Sequence, residues 1–329
     1  MRRLLTVLIA AGMLMSGMLV ASAQESGSAV ASGTGSPVTW TDERGNQVAT
    51  MEVTGVENDW QGFGEYYAPE RGHVYVAVTF EITNISGASM IVGAYDFSMM
   101  DAEGRNNGRS FVSVADGSAE QLFEEDAAVA DGETVELKQV FEVPSGVPAA
   151  AFIWQPDGGI LLVVDLTDGT VENSAIAHGL NTPATWTDDR GNAVATIEVT
   201  GINPDWQDFG DYYEPDRGMV YVAIDFKVTN VSSTNLILET YDFSLLDSAG
   251  MNNSRAWAEA AETADPIFSD DVALAAGESY EGTVVFAVYA DLQPAVLVWQ
   301  PDSGVLHFVM LGDGSEAAPA GTPVATPQG

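Results

Sequence analysis

The sequence predicts an all-β fold made of two antiparallel β-sandwiches in tandem. Residues 73–84 alternate strictly between apolar and other side chains, which is the pattern of a strand that buries one face. Residues 219–230 repeat that pattern. The other apolar runs are short and separated by turn residues, and no segment carries a long 3.6-residue period. Roughly seven to nine short strands in each half favour a two-sheet sandwich, with a closed barrel as the alternative.

The strands expected in the first half follow from apolar runs between turn signals. Asp42–Asn46 is such a signal and predicts a hairpin between the runs on either side of it. A single helical turn fits in residues 120–126. The predicted strands are residues 38–41, 48–56, 74–82, 89–92, 96–100, 110–114, 134–143, 149–154 and 160–166, with a short strand and tight turn over 127–133.

The two halves are a duplication with a period near 146 residues. Thr39–Asn84 aligns without gaps on Thr185–Asn230, with 31 of 46 positions identical. This period is far longer than a solenoid repeat, so the chain is predicted to hold two complete domains, residues 37–167 and 184–314. The linker between them, residues 168–183, is short, and the two domains are therefore expected to sit end to end.

Both ends of the chain have the composition of non-globular segments. Arg2 and Arg3, an apolar run over 4–20 and the small residues 21–23 predict a signal peptide over 1–23 that is cleaved before Gln24. An uncleaved membrane anchor is the alternative. Residues 24–36 are expected to be a flexible leader and residues 315–329 a disordered Pro/Ala/Thr tail. We therefore expect a secreted protein, extracellular or in the cell envelope, with no membrane insertion after cleavage.

The charge balance restricts the partners. The sequence has 48 acidic and 11 basic residues, a net charge of −37. Such a field repels nucleic acid and anionic lipid, so neither is expected as a partner. The sequence has no cysteine, which suits a bacterial envelope and excludes cysteine nucleophiles and thiolate metal sites.

Short motifs follow one another in the same order in each half. In the first half they are Tyr66-Tyr67-x-Pro69-x-x-Gly72, Tyr95-x-Phe97, Asp101-x-x-Gly104, Gly132-Glu133, Phe141-x-Val143-Pro144 and Trp154. This order resembles the immunoglobulin-like domain of unknown function found in many secreted bacterial proteins and lipoproteins. The same sandwich occurs in a small immunoprotective antigen secreted by mycobacteria. The resemblance implies an immunoglobulin-like fold and export, and it carries over no catalytic residue because the family has no agreed activity. The second half departs from the pattern at Val288, where the first half continues to Pro144.

A duplicated aromatic loop is the main candidate for a ligand-binding site. Exposed aromatic rings beside carboxylates and amides can stack on a sugar or anchor a protein partner. The alternative is that these rings close one end of the sandwich as part of its core. The candidate residues are Trp60, Phe63, Tyr66 and Tyr67, with Trp206, Phe209, Tyr212 and Tyr213 in the second copy.

Acidic loop residues raise calcium as a candidate ion, with no other cofactor expected. Hard cations bind several oxygen ligands that converge from loops. No complete calcium-binding loop motif is present, and a solvated acidic surface is the alternative. The candidate ligands are Asp42, Asp59 and Glu65, with Asp188, Asp205 and Asp211 in the second copy.

These observations predict a non-enzymatic module that binds an extracellular protein or glycan through its aromatic loops. None of the three histidines is matched in the other copy, so a duplicated Ser-His-Asp site is not expected. The alternatives are a structural spacer of the cell envelope without a small-molecule ligand and, less favoured, a carbohydrate-active hydrolase that uses paired carboxylates.

Overall fold

The computed structural model describes residues 28–42, 44–156, 158–167, 174–188, 190–302 and 304–311. The predicted signal peptide and C-terminal tail lie outside these residues. Within the described ranges the chain forms strands and turns only, so the all-β prediction is confirmed and the helical turn over 120–126 is wrong. The described part of the chain has no helix of the length and apolar character needed to cross a membrane.

In the residues that the structure describes, each copy forms the same eleven strands in the same order. The first copy has β1 (Val30–Ser32), β2 (Pro37–Thr41), β3 (Gln47–Glu57), β4 (His73–Asn84), β5 (Met90–Val92), β6 (Phe97–Asp101), β7 (Asn106–Gly108), β8 (Ala127–Val129), β9 (Thr134–Pro144), β10 (Ala149–Trp154) and β11 (Leu162–Asp165). The second copy has β12 (Ile176–His178), β13 (Ala184–Thr187), β14 (Ala193–Asn203), β15 (Met219–Asn230), β16 (Leu236–Leu238), β17 (Phe243–Asp247), β18 (Asn252–Ser254), β19 (Val272–Leu274), β20 (Ser279–Tyr289), β21 (Pro294–Asp302) and β22 (Val305–Met310).

Two sheets pack face to face in each copy and form a sandwich. In the first copy the four-stranded sheet has the order β2-β3-β4-β9, the five-stranded sheet β1-β11-β10-β6-β7, and β5 pairs with β8. The second copy repeats these sheets with β12 to β22. Neighbouring strands are antiparallel except for β1 beside β11 and β12 beside β22, which are parallel.

The predicted alternation of the longest strand positions the core. Val76, Val78 and Phe80 on β4 are buried between the two sheets of the first copy, where they meet side chains of β6 and β10. Tyr75 and Ala77 are buried on the opposite face of the same strand, in a separate cluster. The four-stranded sheet is therefore covered on both faces near the start of β4.

A buried asparagine ends β4 in each copy. Asn84 is fully buried, and its side-chain nitrogen donates hydrogen bonds to the carbonyl oxygens of Ala88 (2.7 Å) and Val129 (2.9 Å). Its side-chain oxygen accepts a bond from the backbone of Ser86. Asn230 has the same contacts in the second copy. Because both ends of each amide are engaged, these asparagines fasten the turn after β4 to the short β5–β8 pair.

The five-stranded sheets are buried on both faces because the two copies pack against each other through them. All six residues of β10 are buried, and so are all four residues of β11. Side chains from the outer faces of both sheets form one apolar cluster between the copies. The expectation that the domains sit end to end is therefore wrong. The cluster contains Met100, Ala102, Ala150, Ala151, Ile153, Leu161 and Val163 from the first copy and Ala175, Ile176, Leu246, Val296, Val298, Phe308 and Met310 from the second.

The contact between the copies has approximate two-fold symmetry. The backbone N–H of Leu161 donates to the carbonyl of Gly250, and that of Leu306 donates to the carbonyl of Gly104, both at 2.7 Å. These two bonds exchange matching residues of the two copies, as expected for an isologous interface. Two further reciprocal pairs of backbone hydrogen bonds cross the contact. In one, Ala29 donates to Ser248 and Ala175 donates to Ala102; in the other, Asn106 donates to Gly304 and Asn252 donates to Gly159.

The predicted domain boundaries miss the first strand of each copy. Within the predicted flexible leader lies β1, and Ala29 just before it is fully buried. Likewise β12 lies in the predicted linker and pairs with β22. These three-residue strands are too short to show an alternation. The predicted strand over 110–114 is also wrong, because the only bridge within these residues is the isolated one between Val114 and Phe63.

Gly104 allows a test of the interface between the copies. Its φ is +88°, and a Cβ there would lie 2.6 Å from the carbonyl oxygen of Leu306. Gly72 has the same φ, but a Cβ added to it would have no described heavy atom within 4 Å. We expect Gly104→Ala to lower the free energy of unfolding by about 1–3 kcal/mol more than Gly72→Ala, because only the first adds a steric clash to the shared backbone strain. Chemical denaturation measures the difference, and equal losses would contradict this interface.

His307 is a buried histidine that occurs in only one copy. Its side chain is fully buried, its ring centre lies 5.3 Å from that of Trp299, and its counterpart in the first copy is Leu162. Burial lowers the pKa of His307 to about 3. The folded protein therefore holds the neutral ring at pH values where the unfolded chain is already protonated.

The buried ring should make the protein sensitive to acid. Between the unfolded pKa of 6.5 and the folded pKa of about 3, the unfolded state binds more protons, so stability falls as the pH falls through this window. The expected loss between pH 7 and pH 5 is about 2 kcal/mol from this group. His307→Leu should remove that part of the loss when denaturation curves at the two pH values are compared. An unchanged pH dependence in the variant would show that His307 is not the responsible group.

Candidate functional site

The aromatic loop of each copy lies over the outer face of the four-stranded sheet. Trp60 is 1% exposed, and its ring meets those of Phe63 and Tyr75 edge-on at centroid distances of 6.2 and 6.4 Å. Trp206 is 6% exposed and has the equivalent contacts in the second copy. The tryptophans are therefore core residues, which is the alternative interpretation of this loop, and their rings are not displayed to a ligand.

Backbone hydrogen bonds hold this loop against the sheet. The N–H of Trp60 donates to the carbonyl of Tyr75 at 2.7 Å, at the start of β4. Further along, Phe63 forms an antiparallel bridge with Val114, and the N–H of Gly64 donates to the carbonyl of Ser113. Phe63 itself is half-buried, as is Phe209. The loop thus pairs with the segment that follows β7.

The tyrosines of the loop are the part that reaches solvent. Tyr66 is 86% exposed and Tyr212 is 96% exposed, whereas Tyr67 is 37% exposed and Tyr213 is half-buried. Of the eight aromatic residues predicted as ligand contacts, Tyr66 and Tyr212 are the two whose rings are displayed almost completely. Both copies display the same tyrosine, at positions 146 residues apart.

A second group of exposed aromatic side chains was missed at the level of sequence. Tyr95 and Phe111 are 69% and 74% exposed, and the guanidinium carbon of Arg109 lies 4.6 Å and 4.9 Å from their ring centroids. In the second copy Arg255 lies 5.5 Å from Tyr241 and 5.9 Å from Trp257, which are 71% and 78% exposed. We call each set of three residues an aromatic–arginine cluster.

The turn before β6 and the segment after β7 place each cluster. Asp96 accepts a hydrogen bond from the N–H of Gly93 at 2.9 Å and so closes the turn that presents Tyr95. Arg109 bridges to Phe141 on β9, and the N–H of Ser110 donates to Val140 at 2.7 Å. Burial raises the pKa of Asp96, and it raises that of its counterpart Asp242 to about 6.

The displayed tyrosine and the cluster lie at the same end of the paired loop. The bridge between Phe63 and Val114 is antiparallel. Tyr66 lies three residues after Phe63, and Phe111 lies three residues before Val114. The bridge between Phe209 and Ala260 relates Tyr212 and Trp257 in the same way. In each copy the displayed tyrosine and the cluster therefore follow from the same bridge, three residues along the chain to either side of it.

The structure does not bring the predicted calcium ligands together. Asp42 accepts hydrogen bonds from the backbone of Arg44 (2.9 Å) and Asn46 (2.8 Å), and Asp188 closes the matching turn in the second copy. These bonds, chiefly the side-chain bond from the asparagine, lower the pKa of both aspartates. Over the described residues, no group of three or more His, Asp or Glu side chains is placed to hold a metal ion.

The other predicted calcium ligands are occupied locally or point to solvent. Asp59 accepts a hydrogen bond from the side chain of Gln61 at 2.7 Å, and Asp205 accepts one from Gln207 at 2.6 Å. Glu65 and Asp211 are exposed. The acidic residues of the loops therefore form turns and a solvated surface in the described structure.

Comparison with known proteins finds distant structural similarity. No protein-family model and no curated protein matches the chain. The secreted protein MPT63 from Mycobacterium tuberculosis is 20% identical, with a TM-score of 0.31, over 41% of this chain and 95% of that chain. The YjhA protein from Bacillus subtilis is 10% identical, with a TM-score of 0.31, over 41% and 98%. A conserved hypothetical protein from Bacillus anthracis is 13% identical, with a TM-score of 0.26, over 39% and 94%.

The two residue types of the loop should respond differently to truncation. We expect Trp60→Ala to lower the free energy of unfolding by about 3–5 kcal/mol, because it empties a buried site lined by aromatic rings. Tyr66→Ala should change it by less than about 0.5 kcal/mol, because its ring is in solvent. Urea denaturation of both variants checks this. A Trp60→Ala protein of undiminished stability would mean that the tryptophan is not part of the core.

Proposed function

We propose that this protein is an exported, non-enzymatic binding module of two immunoglobulin-like domains that recognises an extracellular protein or glycan through the aromatic surface of each copy. The observation that supports this is the repetition of the same exposed rings at matching positions. Tyr66, Tyr95 and Phe111 correspond to Tyr212, Tyr241 and Trp257, and all six are at least 69% exposed.

Exposed aromatic rings are costly to keep in water. Aromatic side chains contribute large apolar areas, and soluble proteins normally bury most of that area. Tyr, Trp and Arg are also the residue types that contribute most to binding energy at protein interfaces. A patch of such residues that recurs in both copies is better explained by contact with a partner than by the stability of the fold.

The fixed relation of the two copies supports a bivalent mode of binding. Their five-stranded sheets face each other, whereas the aromatic surfaces belong to the opposite sides of the two sandwiches. Two sites on one rigid body can engage two units of a repetitive partner, and the second contact then forms at a high effective concentration. Duplication thus raises the avidity of a weak single site.

The cellular location is part of the proposal. The signal sequence favours export, and the motif order favours the secreted bacterial immunoglobulin-like family. The net charge of −37 disfavours nucleic acids and anionic lipids as partners. The acidic residues keep the protein dispersed, and the aromatic surface provides the contact.

A hydrolase is the less favoured alternative. A shallow depression beside Trp257 is lined by Ala258, Pro266 and Ile267 and carries one titratable group, Glu259. A glycosidase of the usual kind needs two carboxyl groups at a defined separation. Asp242 has a raised pKa, but burial in its own turn accounts for the shift.

A binding screen with the full chain tests the proposal. The protein is immobilised and probed with arrays of glycans and of purified extracellular proteins, alongside a variant in which the six exposed rings are changed to Ala. We expect binding by the wild type to at least one glycan or protein and a loss of roughly tenfold or more in the variant, because ring contacts supply the affinity.

A matched control distinguishes the loss of ring contacts with the ligand from a change in the protein's charge or a loss of its fold. Arg44→Ala with Arg190→Ala changes two exposed, duplicated residues outside the aromatic surface, and both control and ring variant should keep the wild-type melting temperature. Binding that survives removal of all six rings would contradict the proposed site. No binding to either array would favour the spacer alternative.

A further inference from the structure

We propose that each aromatic–arginine cluster binds a neutral polysaccharide. This inference rests on the proposed binding function and assigns its ligand class. It concerns Tyr95, Arg109 and Phe111 in the first copy and Tyr241, Arg255 and Trp257 in the second.

The geometry of the first cluster is that of an open stacking platform. The ring centroids of Tyr95 and Phe111 are 6.4 Å apart with an interplanar angle of 49°, and Arg109 contacts both rings. The arginine also donates a hydrogen bond to the Tyr95 hydroxyl oxygen at 3.2 Å. Flat apolar rings match the C–H faces of a pyranose, and guanidinium and phenol groups can bond its hydroxyls.

The backbone beneath the cluster is fixed before any ligand arrives. Arg109 and Arg255 form antiparallel bridges to Phe141 and Phe286, which are buried on β9 and β20. The next backbone N–H also donates to these strands. Ser110 donates to the carbonyl of Val140 at 2.7 Å, and Ala256 donates to that of Val285 at 2.8 Å. A pre-organised surface loses little conformational entropy on binding, which matters for a ligand that makes few contacts per sugar.

Divergence between the two copies has kept the properties that stacking uses. From Ser110 to Val114 every position differs from its counterpart in Ala256 to Ala260, yet Phe111 is replaced by Trp257, another flat ring. The arginine before the segment is unchanged. Stacking on a sugar needs a ring and tolerates its exchange for a larger one, whereas a hydrogen bond with fixed geometry would not.

The charge pattern selects a neutral ligand. The net charge of −37 repels an anionic polymer, while a cationic partner would meet a guanidinium at the centre of each contact. Across the described residues, no carboxylate lies within 4.0 Å of Arg109 or Arg255, so these two cations keep their charge unpaired at the contact surface. A neutral polysaccharide is neither repelled by the net negative charge of the protein nor repelled by the arginine in each cluster.

The openness of the clusters selects a polymer over a small molecule. Their rings are 69–78% exposed, so a monosaccharide would stay largely in solvent, whereas small-molecule sites bury most of their ligand. A chain of sugars can cover both rings of one cluster at the same time.

Affinity electrophoresis of the full chain tests the inference. The protein is run in native gels that contain soluble mixed-linkage β-glucan, xyloglucan, xylan, galactomannan or α-glucan as neutral probes. Polygalacturonate serves as the anionic probe, and polylysine is tested in solution as the cationic one. We expect retardation by at least one neutral polysaccharide and none by polygalacturonate at about 0.15 M salt, where exposed charges are screened beyond roughly 8 Å. Binding to polylysine would come from the net charge of −37 and would not report on the rings.

Three variants locate the site. Tyr95→Ala, Phe111→Ala, Tyr241→Ala and Trp257→Ala together should weaken binding roughly tenfold or more, and Arg109→Ala with Arg255→Ala should weaken it several-fold. The matched charge control Arg44→Ala with Arg190→Ala should bind as the wild type does.

The outcomes separate this inference from the proposed function. Retardation by no neutral polysaccharide, or retention of the wild-type affinity in the four-ring variant, overturns the inference. A chain that captures an extracellular protein through its exposed rings but no neutral polysaccharide keeps the proposed function and loses the ligand class assigned here. Binding to polylysine alone overturns the inference as well, because it would reflect net charge without stacking.

Discussion

The burial of two five-stranded sheets against each other is the interaction on which the rest of the structure depends. Each sandwich has its own core, but strands such as β10 and β22 also carry apolar side chains on the outward face. That face has no polar residue pattern to present to water, so a separated copy would expose it. The pairing of the copies removes this surface from solvent and leaves the four-stranded sheets and their aromatic loops outermost.

In this arrangement the two outer faces of each sandwich are covered differently. One face is closed by Ala, Val, Leu and Met and is shaped for its counterpart. The other carries a buried tryptophan that supports a surface of exposed rings. The tryptophan and the exposed tyrosine are six residues apart in one loop, so the same motif supplies both the support and the display. The order of the layers, rather than any single residue, therefore determines which side chains remain at the surface.

Periodicity in the sequence predicted some of these features and could not predict others. β4 was recognisable because one face is apolar throughout, whereas β1 has only three residues and derives its stability from pairing with β11. The fully apolar run Ala149–Trp154 indicates a strand that is buried on both faces. The other copy covers the second of these faces. Trp60 could not be assigned from its type, because a loop tryptophan fits a core or a binding surface equally well. Arg109 was missed because its role depends on Tyr95, which lies on a different turn of the chain.

Joining the two copies in one chain has an evolutionary consequence. In a symmetric homodimer every substitution at the interface appears twice, so a change tolerated on one side must be tolerated on both. Here each side can mutate alone. Arg105 forms ion pairs with Asp101 and Glu103, while its counterpart is Met251. Leu162 and His307 also occupy equivalent positions and have diverged. One copy can therefore acquire a charged or titrating side chain while the other copy keeps an apolar residue at the same position.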